Sequence, residues 1–269
     1  SAVISDALFA TPFEEHETGR PRRVSQLYER LKAAGACFGE KMAWERPNWF
    51  APPGVEPSDE YSFGPQNWFT HVGEEHRAVR ERVALFDQSS FAKFELRGER
   101  VADALSWVAA NKVDRCVGKV VYTQMLNSAG GIECDLTASR VADDCYYIVT
   151  GTGFRTHDLA WIRANLPPEH DIRVTDVTDD RFTLSLMGPR ARHVLGRVTD
   201  TDLSNDKFPF ASCQEIQVAG HRVLALRITY SGELGWELHG PKSAALDVYE
   251  ALMIAGEPAG IANAGYRAI

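Results

Sequence analysis

The chain has no excess of basic charge and no long apolar run. Its 29 lysines and arginines are outnumbered by 37 aspartates and glutamates, which gives a formal net charge of -8. Because a nucleic-acid surface needs a basic patch that displaces counterions, this balance argues against a nucleic-acid partner. No apolar run approaches the roughly 18 residues of a membrane span, and no signal-peptide pattern opens the chain. We therefore expect neither nucleic acid nor a membrane as a partner.

Closely spaced cysteines are also missing. An odd number of cysteines with no C-x-x-C pair argues against both a disulfide scaffold and a zinc site. The five are Cys37, Cys116, Cys134, Cys145 and Cys213. We predict no metal site. A reducing compartment fits best, so we expect a cytoplasmic protein, or one of the mitochondrial matrix if the source is eukaryotic.

What is present is the composition of an ordinary globular protein, with 44% hydrophobic and 25% charged residues. At 269 residues the chain can bury about three-quarters of its unfolded surface, in one or two domains. The chain starts at Ser1 rather than Met and stops inside a stretch that is predicted as a helix from Ala262 onward. We therefore expect a piece of a longer protein.

Short strands and hairpins dominate the periodicity. Strands are predicted at residues 91–96, 145–150, 215–218 and 223–229, and helices at residues 25–34, 74–86, 156–166 and 243–255. Ser25 and Thr152 are the predicted caps of two helices. Residues 38–69 are rich in aromatics and prolines and are predicted to wrap as an arm with little regular structure, or else to form the aromatic rim of a cleft. Hairpins with few long parallel crossovers predict an α+β fold with mainly antiparallel sheets and packed helices.

The chain also contains an internal sequence repeat, which we call the internal echo. F-E-L-R-G-E-R-V-A-D-A-L at residues 94–105 resembles L-S-L-M-G-P-R-A-R-H-V-L at residues 184–195. Each segment predicts a strand, a glycine and then a helix.

One predicted hairpin holds a charge where strands seldom have one. Its strands cover residues 120–126 and 132–137, around turn residues at 127–131. Asp135 lies between Cys134 and Leu136 and so faces away from both. A two- or four-residue loop would place Tyr122 directly opposite Asp135, whereas a bulge at the glycine pair would break this parity. The alternative is an edge strand with its polar face in water.

Three motifs together resemble the folate-binding aminomethyltransferases of the glycine cleavage system. They are Y-T-Q-M-L-N-S-A-G-G-I-E-C-D-L-T at residues 122–137, Y-S-G-E-L-G-W-E at residues 230–237, and H-R-A-V-R-E-R-V-A-L-F-D-Q-S-S at residues 76–90. F-G-E-K-M-A-W-E-R-P-N-W-F at residues 38–50 is similar to the C-terminal half of sarcosine and dimethylglycine dehydrogenases. F-E-E-H-E-T-G-R-P at residues 13–21 is similar to their linker from the flavin half. Cys134 replaces the first of two adjacent Asp of the glycine cleavage enzyme, which suits this dehydrogenase branch.

The resemblance implies an aminomethyltransferase (folate-binding) fold that lacks the C-terminal β-barrel. It also implies three parts. Residues 1–37 would be a linker or N-terminal arm, residues 38–91 with 172–269 a discontinuous first folate-binding subdomain, and residues 92–171 a second, ferredoxin-like subdomain. The G-x-G-x-x-G of a flavin-binding half is absent. FAD is therefore expected only in a missing N-terminal half of a parent protein.

The resemblance also implies a tetrahydrofolate site. Asp135 would be the catalytic carboxylate near the reacting end, where an anion can stabilise a cationic iminium or relay a proton. Tyr122 would line the same site, and Tyr230 would wall the pterin. Glu237 would accept two donors from the pterin edge. Arg267 would meet the folate. Each of three residues also has an alternative that explains it equally well. Tyr230 could be a packed core aromatic, Glu237 a carboxylate at the surface, and Arg267 a charge on a surface helix.

The implied function is the tetrahydrofolate-binding, one-carbon-transfer portion of a flavin-dependent sarcosine or dimethylglycine dehydrogenase. It would capture the iminium or formaldehyde unit of an N-methylated amine as 5,10-methylenetetrahydrofolate, with the flavin-binding half as a partner in the parent chain. A free-standing aminomethyltransferase or a tetrahydrofolate-dependent demethylase is the enzyme alternative. Two functions without catalysis also stay open. A non-catalytic folate-binding module is one, although K-V-V-Y at residues 119–122 counts against it because such modules carry K-G-C-Y, and a docking domain is the second.

Overall fold

The computed structural model describes residues 18–269, so residues 1–17 of the predicted arm lie outside the described residues. The helices are α1 (Tyr28–Ala33), α2 (Phe69–Glu81), α3 (Val101–Val108), α4 (Arg155–Asn165), α5 (Ala191–Leu195) and α6 (Ala245–Gly256). The strands are β1 (Ala36–Lys41), β2 (Trp44–Phe50), β3 (Val83–Asp87), β4 (Ala92–Arg97), β5 (Val120–Leu126), β6 (Ile132–Ala142), β7 (Cys145–Thr150), β8 (Arg173–Asp176), β9 (Arg181–Met187), β10 (Ser212–Val218), β11 (His221–Arg227), β12 (Gly235–Pro241) and β13 (Ile261–Asn263). None of the helices in this part of the chain is both long and apolar enough to cross a membrane.

Two larger sheets carry the fold, and the predicted α+β class with mainly antiparallel sheets is confirmed. The six-stranded sheet has the order β10-β11-β12-β9-β3-β13, in which only β13 and β3 are parallel. The five-stranded sheet has the order β5-β6-β7-β4-β8 and is antiparallel throughout. A separate two-stranded sheet pairs β1 with β2. The division into subdomains stays a prediction. β8 falls within the predicted first subdomain, yet it lies in the five-stranded sheet with the strands of the predicted second subdomain.

Each large sheet buries one apolar face under helices. In the six-stranded sheet Trp236 and Leu184 pack with α1, α5 and α6, and in the five-stranded sheet Phe94 and Ile148 pack with α3 and α4. Because side chains alternate along a strand, the residues between these apolar positions point to the opposite face. Those opposite faces turn toward each other, as the contact of Tyr147 on β7 with His239 on β12 shows.

The internal echo is confirmed as a repeated strand–glycine–helix unit. The first unit is β4, Gly98 and α3, and the second is β9, Gly188 and α5. Gly188 has a φ of 132°, and a Cβ there would lie 2.6 Å from the backbone oxygen of Arg82. The second unit therefore requires glycine both for its backbone conformation and for the close approach of the chain.

The prediction of an irregular arm over residues 38–69 is wrong for its first part, residues 38–50. Residues up to Phe50 form the β1–β2 hairpin, and its turn places Met42 and Ala43 at φ of 52° and 69°. Neither residue belongs to the Asn, Asp or Gly types that usually mark such a turn, so the local sequence hides the hairpin. The remaining part, from Ala51 to Trp68, is free of helices and strands.

Two predicted helices are also wrong in extent or kind. The helix over residues 74–86 is α2, which ends at Glu81, followed by β3 (Val83–Asp87), because this apolar segment pairs with β9 and β13 in the sheet interior. The helix expected from Ala262 onward is instead β13 and a 3₁₀ turn, Tyr266–Ala268. Thr152 does not cap α4; its hydroxyl bonds Ser90 at 2.8 Å. Leu27 and not Ser25 occupies the N-cap position of α1, although the Ser25 hydroxyl accepts a hydrogen bond from the backbone N–H of Leu27 at 3.2 Å.

Candidate functional site

A layer of buried polar side chains lies where the two large sheets face each other, and we call it the polar seam. Its members come from four different strands, and all of them are almost fully excluded from solvent. They are Lys93, Tyr147, Thr183, Ser185, Glu237 and His239. Buried polar groups are costly unless they are hydrogen-bonded, so the seam has to be an ordered network.

His239 organises the centre of the seam. Its Nδ1 lies 3.0 Å from Thr183 Oγ1 and 3.2 Å from Tyr147 Oη, and its Nε2 lies 3.2 Å from Glu237 Oε2. Burial lowers the pKa of His239, against the opposing effect of Glu237, so the ring is neutral. Its single proton then sits on Nε2 and is donated to the carboxylate, while Nδ1 accepts from the hydroxyls.

This arrangement leaves one carboxylate oxygen of Glu237 uncommitted. Oε2 is held by His239, whereas Oε1 receives no hydrogen bond from the residues at 18–269. Glu237 is only 5% exposed, so a solvent-facing strand carboxylate does not describe its position. The sequence identified Glu237 as a candidate but missed His239. The only local signal for His239 is a polar residue inside an apolar strand.

Lys93 is a second seam residue that the sequence analysis missed. It is 0% exposed, and its Nζ donates to the carbonyl oxygens of Ser89 at 2.8 Å and Phe91 at 2.9 Å. Burial lowers the pKa of Lys93 to about 7, although the nearby Asp87 carboxylate acts in the opposite direction. A lysine that is neutral over part of the physiological range can hold or release a proton inside the protein.

Tyr122 and Asp135 lie on the exposed end of the seam-facing side of the five-stranded sheet. The predicted β5–β6 hairpin is present, but the expected direct opposition of these two residues is wrong by one pair. Gln124 is the residue opposite Asp135, and Tyr122 is opposite Thr137. The bulge, between Met125 and the next residue, lies at the turn end, so Tyr122 and Asp135 still share a face.

The two side chains interact despite this shift. Hydrogen bonding to Asp135 raises the pKa of Tyr122, and Gln124 Nε2 lies 3.4 Å from Asp135 Oδ1. Tyr122 is 58% exposed, so both groups are open to a ligand or to water. Tyr230, on the segment between β11 and β12, is close enough for its charge to affect the pKa of Tyr122 as well. The fold therefore brings together three predicted residues, two from the five-stranded sheet and one from the segment between β11 and β12.

An aromatic cavity of about 470 Å³ lies beside Tyr230. Phe154 and Tyr266 line it, and the guanidinium of Arg46 stacks 4.3 Å from the centroid of the Tyr266 ring. Tyr266 is also near enough to Glu237 for that carboxylate to raise its pKa, although burial is the larger cause. Tyr230 is 71% exposed, so it is a wall of this cavity and not a core aromatic.

A larger cavity of about 650 Å³ opens at the other end of the seam, where Tyr147 and His239 also line it. Two of its arginines, Arg97 and Arg181, are paired with Glu95 at 3.2 Å and 3.3 Å. Because both arginines already share this one carboxylate partner, they offer less to a charged ligand than two free guanidinium groups would. We place the candidate site at the smaller cavity, which Tyr230 and Tyr266 line. Tyr122 and Asp135 are near Tyr230, and Glu237 is near Tyr266.

Arg267 is less available than the sequence suggested. Its guanidinium lies 3.9 Å from the centroid of the Trp68 ring and forms an ion pair with Asp59. Asp59 also accepts a hydrogen bond from Trp49 Nε1 at 2.8 Å. This partly buried, stacked position is not that of a simple surface charge. To contact folate, the guanidinium would have to keep Trp68 and Asp59 as partners or exchange them for the ligand. Contact of Arg267 with folate stays a prediction.

Glu75, which sequence reasoning did not select, fixes the turn that carries Arg267. Its carboxylate accepts from the backbone N–H of Phe50 at 2.6 Å and of Gly265 at 2.9 Å. Burial raises the pKa of Glu75 to about 7, against the effect of these two donors. Glu75 therefore connects α2 to β2 and to the C-terminal turn.

A family model described as the GCVT N-terminal domain matches residues 27–269. The chain is 37% identical to mitochondrial sarcosine dehydrogenase of Mus musculus, over 96% of this chain and 32% of that protein. It is 38% identical to mitochondrial dimethylglycine dehydrogenase of Homo sapiens, over 96% of this chain and 30% of that protein. The chain thus spans about a third of the length of these relatives.

The fold is also that of a solved aminomethyltransferase. The crystal structure of the glycine cleavage system aminomethyltransferase T from Bartonella henselae superposes with a TM-score of 0.74 and 26% sequence identity. The match covers 91% of this chain and 60% of that protein. The likeness therefore extends over most of this chain.

Proposed function

Because the chain belongs to the GCVT N-terminal domain family, we propose that it is the tetrahydrofolate-binding, one-carbon-transfer portion of a flavin-dependent N-methyl amine dehydrogenase. It is an aminomethyltransferase-like domain related to sarcosine and dimethylglycine dehydrogenases. The observation that carries the proposal is the buried Glu237 carboxylate. One of its oxygens is held by neutral His239, and the other is uncommitted. The carboxylate is also near enough to Tyr266, which lines the aromatic cavity, to affect the pKa of that residue.

The carboxylate acceptor and the aromatic walls of the site fit a pterin. A pterin edge presents an amino group and a ring N–H, and a carboxylate with an uncommitted oxygen is a strong acceptor for such donors. Tyr230 and Tyr266 offer flat apolar walls for the ring system. Tetrahydrofolate would supply two amine nitrogens that accept the one-carbon unit. Glu237 would hold the distal edge of the ligand, so that its reacting end points toward Asp135.

Asp135 and Tyr122 suit the reacting end. The Asp135 carboxylate would stabilise the positive charge of an iminium and take the proton that leaves the attacking amine. The Tyr122 hydroxyl, which is near enough to Asp135 for that carboxylate to raise its pKa, would orient the carboxylate. The amine from which the carbon comes would leave with a proton, and the captured unit would be 5,10-methylenetetrahydrofolate. In this proposal, FAD and amine oxidation belong to a separate half of a parent protein.

A binding titration tests the proposal directly. Calorimetry with 5-formyltetrahydrofolate should show saturable binding, and Glu237→Gln should weaken it by roughly 10- to 150-fold, since a hydrogen bond to a charged group contributes about 1.5–3 kcal/mol. Glu215→Gln is the matched control, because that carboxylate is exposed and forms an ion pair with Arg222 on the surface. Equal affinities of the two variants, or no saturable binding to a longer parent protein, would contradict the proposal.

A second measurement tests the role of Asp135. In a parent protein that contains the flavin half, Asp135→Asn should leave folate affinity within about threefold and lower methylenetetrahydrofolate formation by about 100-fold or more, the usual effect of losing an acid–base group. Amine oxidation should continue, so free formaldehyde should replace the folate product. Unchanged product partition would remove Asp135 from the mechanism.

The same experiments distinguish the competing functions. A free-standing aminomethyltransferase would bind folate, but its reading frame would lack an upstream dinucleotide-binding G-x-G-x-x-G region. A non-catalytic module would bind folate with Asp135→Asn having no effect on any turnover, and a docking domain would not bind it. Both relatives are named as mitochondrial, and a reducing compartment of this kind stays the prediction for this chain.

A further inference from the structure

A second cluster of chemically active side chains lies behind the β6 strand, on the opposite side from Asp135. Cys134 points toward α4 and is 1% exposed. His157 and Asp158 lie in the first turn of that helix. The Cys134 sulfur, a ring nitrogen of His157 and a carboxylate oxygen of Asp158 all lie within 4.8 Å of one another, the only such group between residues 18 and 269.

Further polar groups hold the side chains of this cluster. His157 Nδ1 lies 3.0 Å from Asp158 Oδ1, while its Nε2 lies 3.4 Å from Glu133 Oε2. The Thr150 hydroxyl donates to Asp158 Oδ2 at 2.6 Å. In metal sites the ligating imidazole donates its other N–H to a carboxylate, and ligating carboxylates are themselves hydrogen-bonded. Glu133 and Thr150 stand in these two outer positions.

We propose that Cys134, His157 and Asp158 bind a zinc ion through Sγ, Nδ1 and Oδ1. A mixed sulfur, nitrogen and oxygen donor set suits Zn²⁺, whose ligand bonds of about 2.0–2.3 Å place tetrahedral donors roughly 3.3–3.8 Å apart. The observed separations, from 3.0 Å to at most 4.8 Å, need only small side-chain adjustments to reach this geometry. Water would take the fourth position.

Charge and access both favour this ion. Cys134 would bind as the thiolate and release its proton to solvent, so thiolate and Asp158 carboxylate together neutralise the two positive charges of the ion. A neutral assembly is the form in which buried charges are tolerated. The His157 side chain is 49% exposed, which gives the ion a path from solvent. Bound zinc would join α4 to β6 directly behind Asp135.

The site is independent of the proposed folate chemistry. The competing account is a metal-free cluster that hydrogen bonds and ion pairs hold together. In that account, hydrogen bonding to Asp158 raises the pKa of His157, and the charged ring lies between two carboxylates. The two accounts differ in one measurable respect, because only a bound ion creates a metal–thiolate bond.

Cobalt is the probe for that bond. The Cys116→Ser chain is used after chelator treatment and tag removal, because Cys116 is the one exposed cysteine among the five. Titration with Co²⁺ should reach a stoichiometry of one and produce a thiolate-to-cobalt charge-transfer band. Zinc should then displace the cobalt and abolish the band.

Three variants and one control assign the ligands. Cys134→Ser should abolish the charge-transfer band, and His157→Ala should weaken cobalt binding by at least 100-fold. Glu133→Gln, which alters an outer partner, should weaken it by about 10- to 100-fold. His76→Ala, at an exposed histidine on α2, should leave binding unchanged. His157 is half exposed, so its variant stays informative even if Cys134→Ser disturbs folding.

Three results would overturn the proposal. They are the absence of stoichiometric cobalt binding, a charge-transfer band that persists in folded Cys134→Ser, and equal affinities for His157→Ala and His76→Ala. Any of these would leave the metal-free cluster as the correct account. The folate titration described above is performed separately, so failure of the metal site would leave the proposed function standing.

Discussion

Replacing the buried lysine of the polar seam should change how stability depends on pH. Lys93 is 0% exposed, and its pKa is lowered from 10.5 to about 7 in the folded state. Between these two values the unfolded chain keeps a proton that the folded chain has lost. Since stability rises with pH wherever the unfolded state binds more protons, Lys93 should make the native protein more stable as pH rises through this window.

The size of the effect follows from the pKa difference. The difference between a pKa of 10.5 in the unfolded chain and about 7 in the folded chain corresponds to about 5 kcal/mol over the whole window. Between pH 7 and pH 9.5 the change should be about 3 kcal/mol. Lys93→Met removes the titrating group but keeps the length of the side chain, so the variant should lack this slope. Its two carbonyl acceptors would lose their donor, a cost that is independent of pH.

The assay is urea unfolding followed by tryptophan fluorescence at several pH values, since the chain has six tryptophans. The quantity compared is the difference in unfolding free energy between wild type and Lys93→Met at each pH. Lys207→Met is the control, because Lys207 is exposed and its replacement should leave the slope intact. Parallel stability curves for wild type and Lys93→Met would refute the claim that burial lowers the pKa of Lys93.

Two further predictions concern the seam and the C-terminal turn. His239→Phe removes the donor to Glu237 and should weaken 5-formyltetrahydrofolate binding about tenfold. In a Glu237→Gln background the same replacement should cause no further loss. Additive losses in this double-mutant cycle would contradict the role of His239 in positioning Glu237. Gly265→Ala should destabilise the protein by about 3 kcal/mol in denaturant unfolding, because the new Cβ would lie 2.2 Å from backbone atoms of Asn48. Gly73→Ala, in α2 with nothing within 4 Å, should stabilise it by about 1 kcal/mol, and equal effects at the two glycines would refute this packing argument.

Local sequence was sufficient wherever one short segment determines its own conformation. The β5–β6 hairpin is of this kind, and so is the β10–β11 turn, where Ala219 and Gly220 have φ of 51° and 80°. The repeated strand–glycine–helix unit was also visible, because glycine is required at Gly188. A charge within a strand identified Asp135 as unusual for the same reason, since β-pairing alone does not favour it.

Pairing between distant segments decided the remaining elements. The segment Val83–Asp87 has apolar residues that suit a helix as well as a strand, and only its neighbours β9 and β13 settle the choice. The β1–β2 hairpin likewise lacks the usual turn residues. Periodicity cannot identify Val83–Asp87 as a strand, because burial on both faces removes the alternation that marks a strand.

The sequence by itself determined the fold class, the hairpin that carries Asp135 and the family to which the chain belongs. Only the tertiary structure showed that His239 holds Glu237, that Lys93 is buried, and that Cys134 meets His157 and the carboxylate beside it. These contacts join residues whose spacing along the chain carries no signal. They exist because two sheets turn their polar faces toward each other and a helix covers the opposite face of one of them.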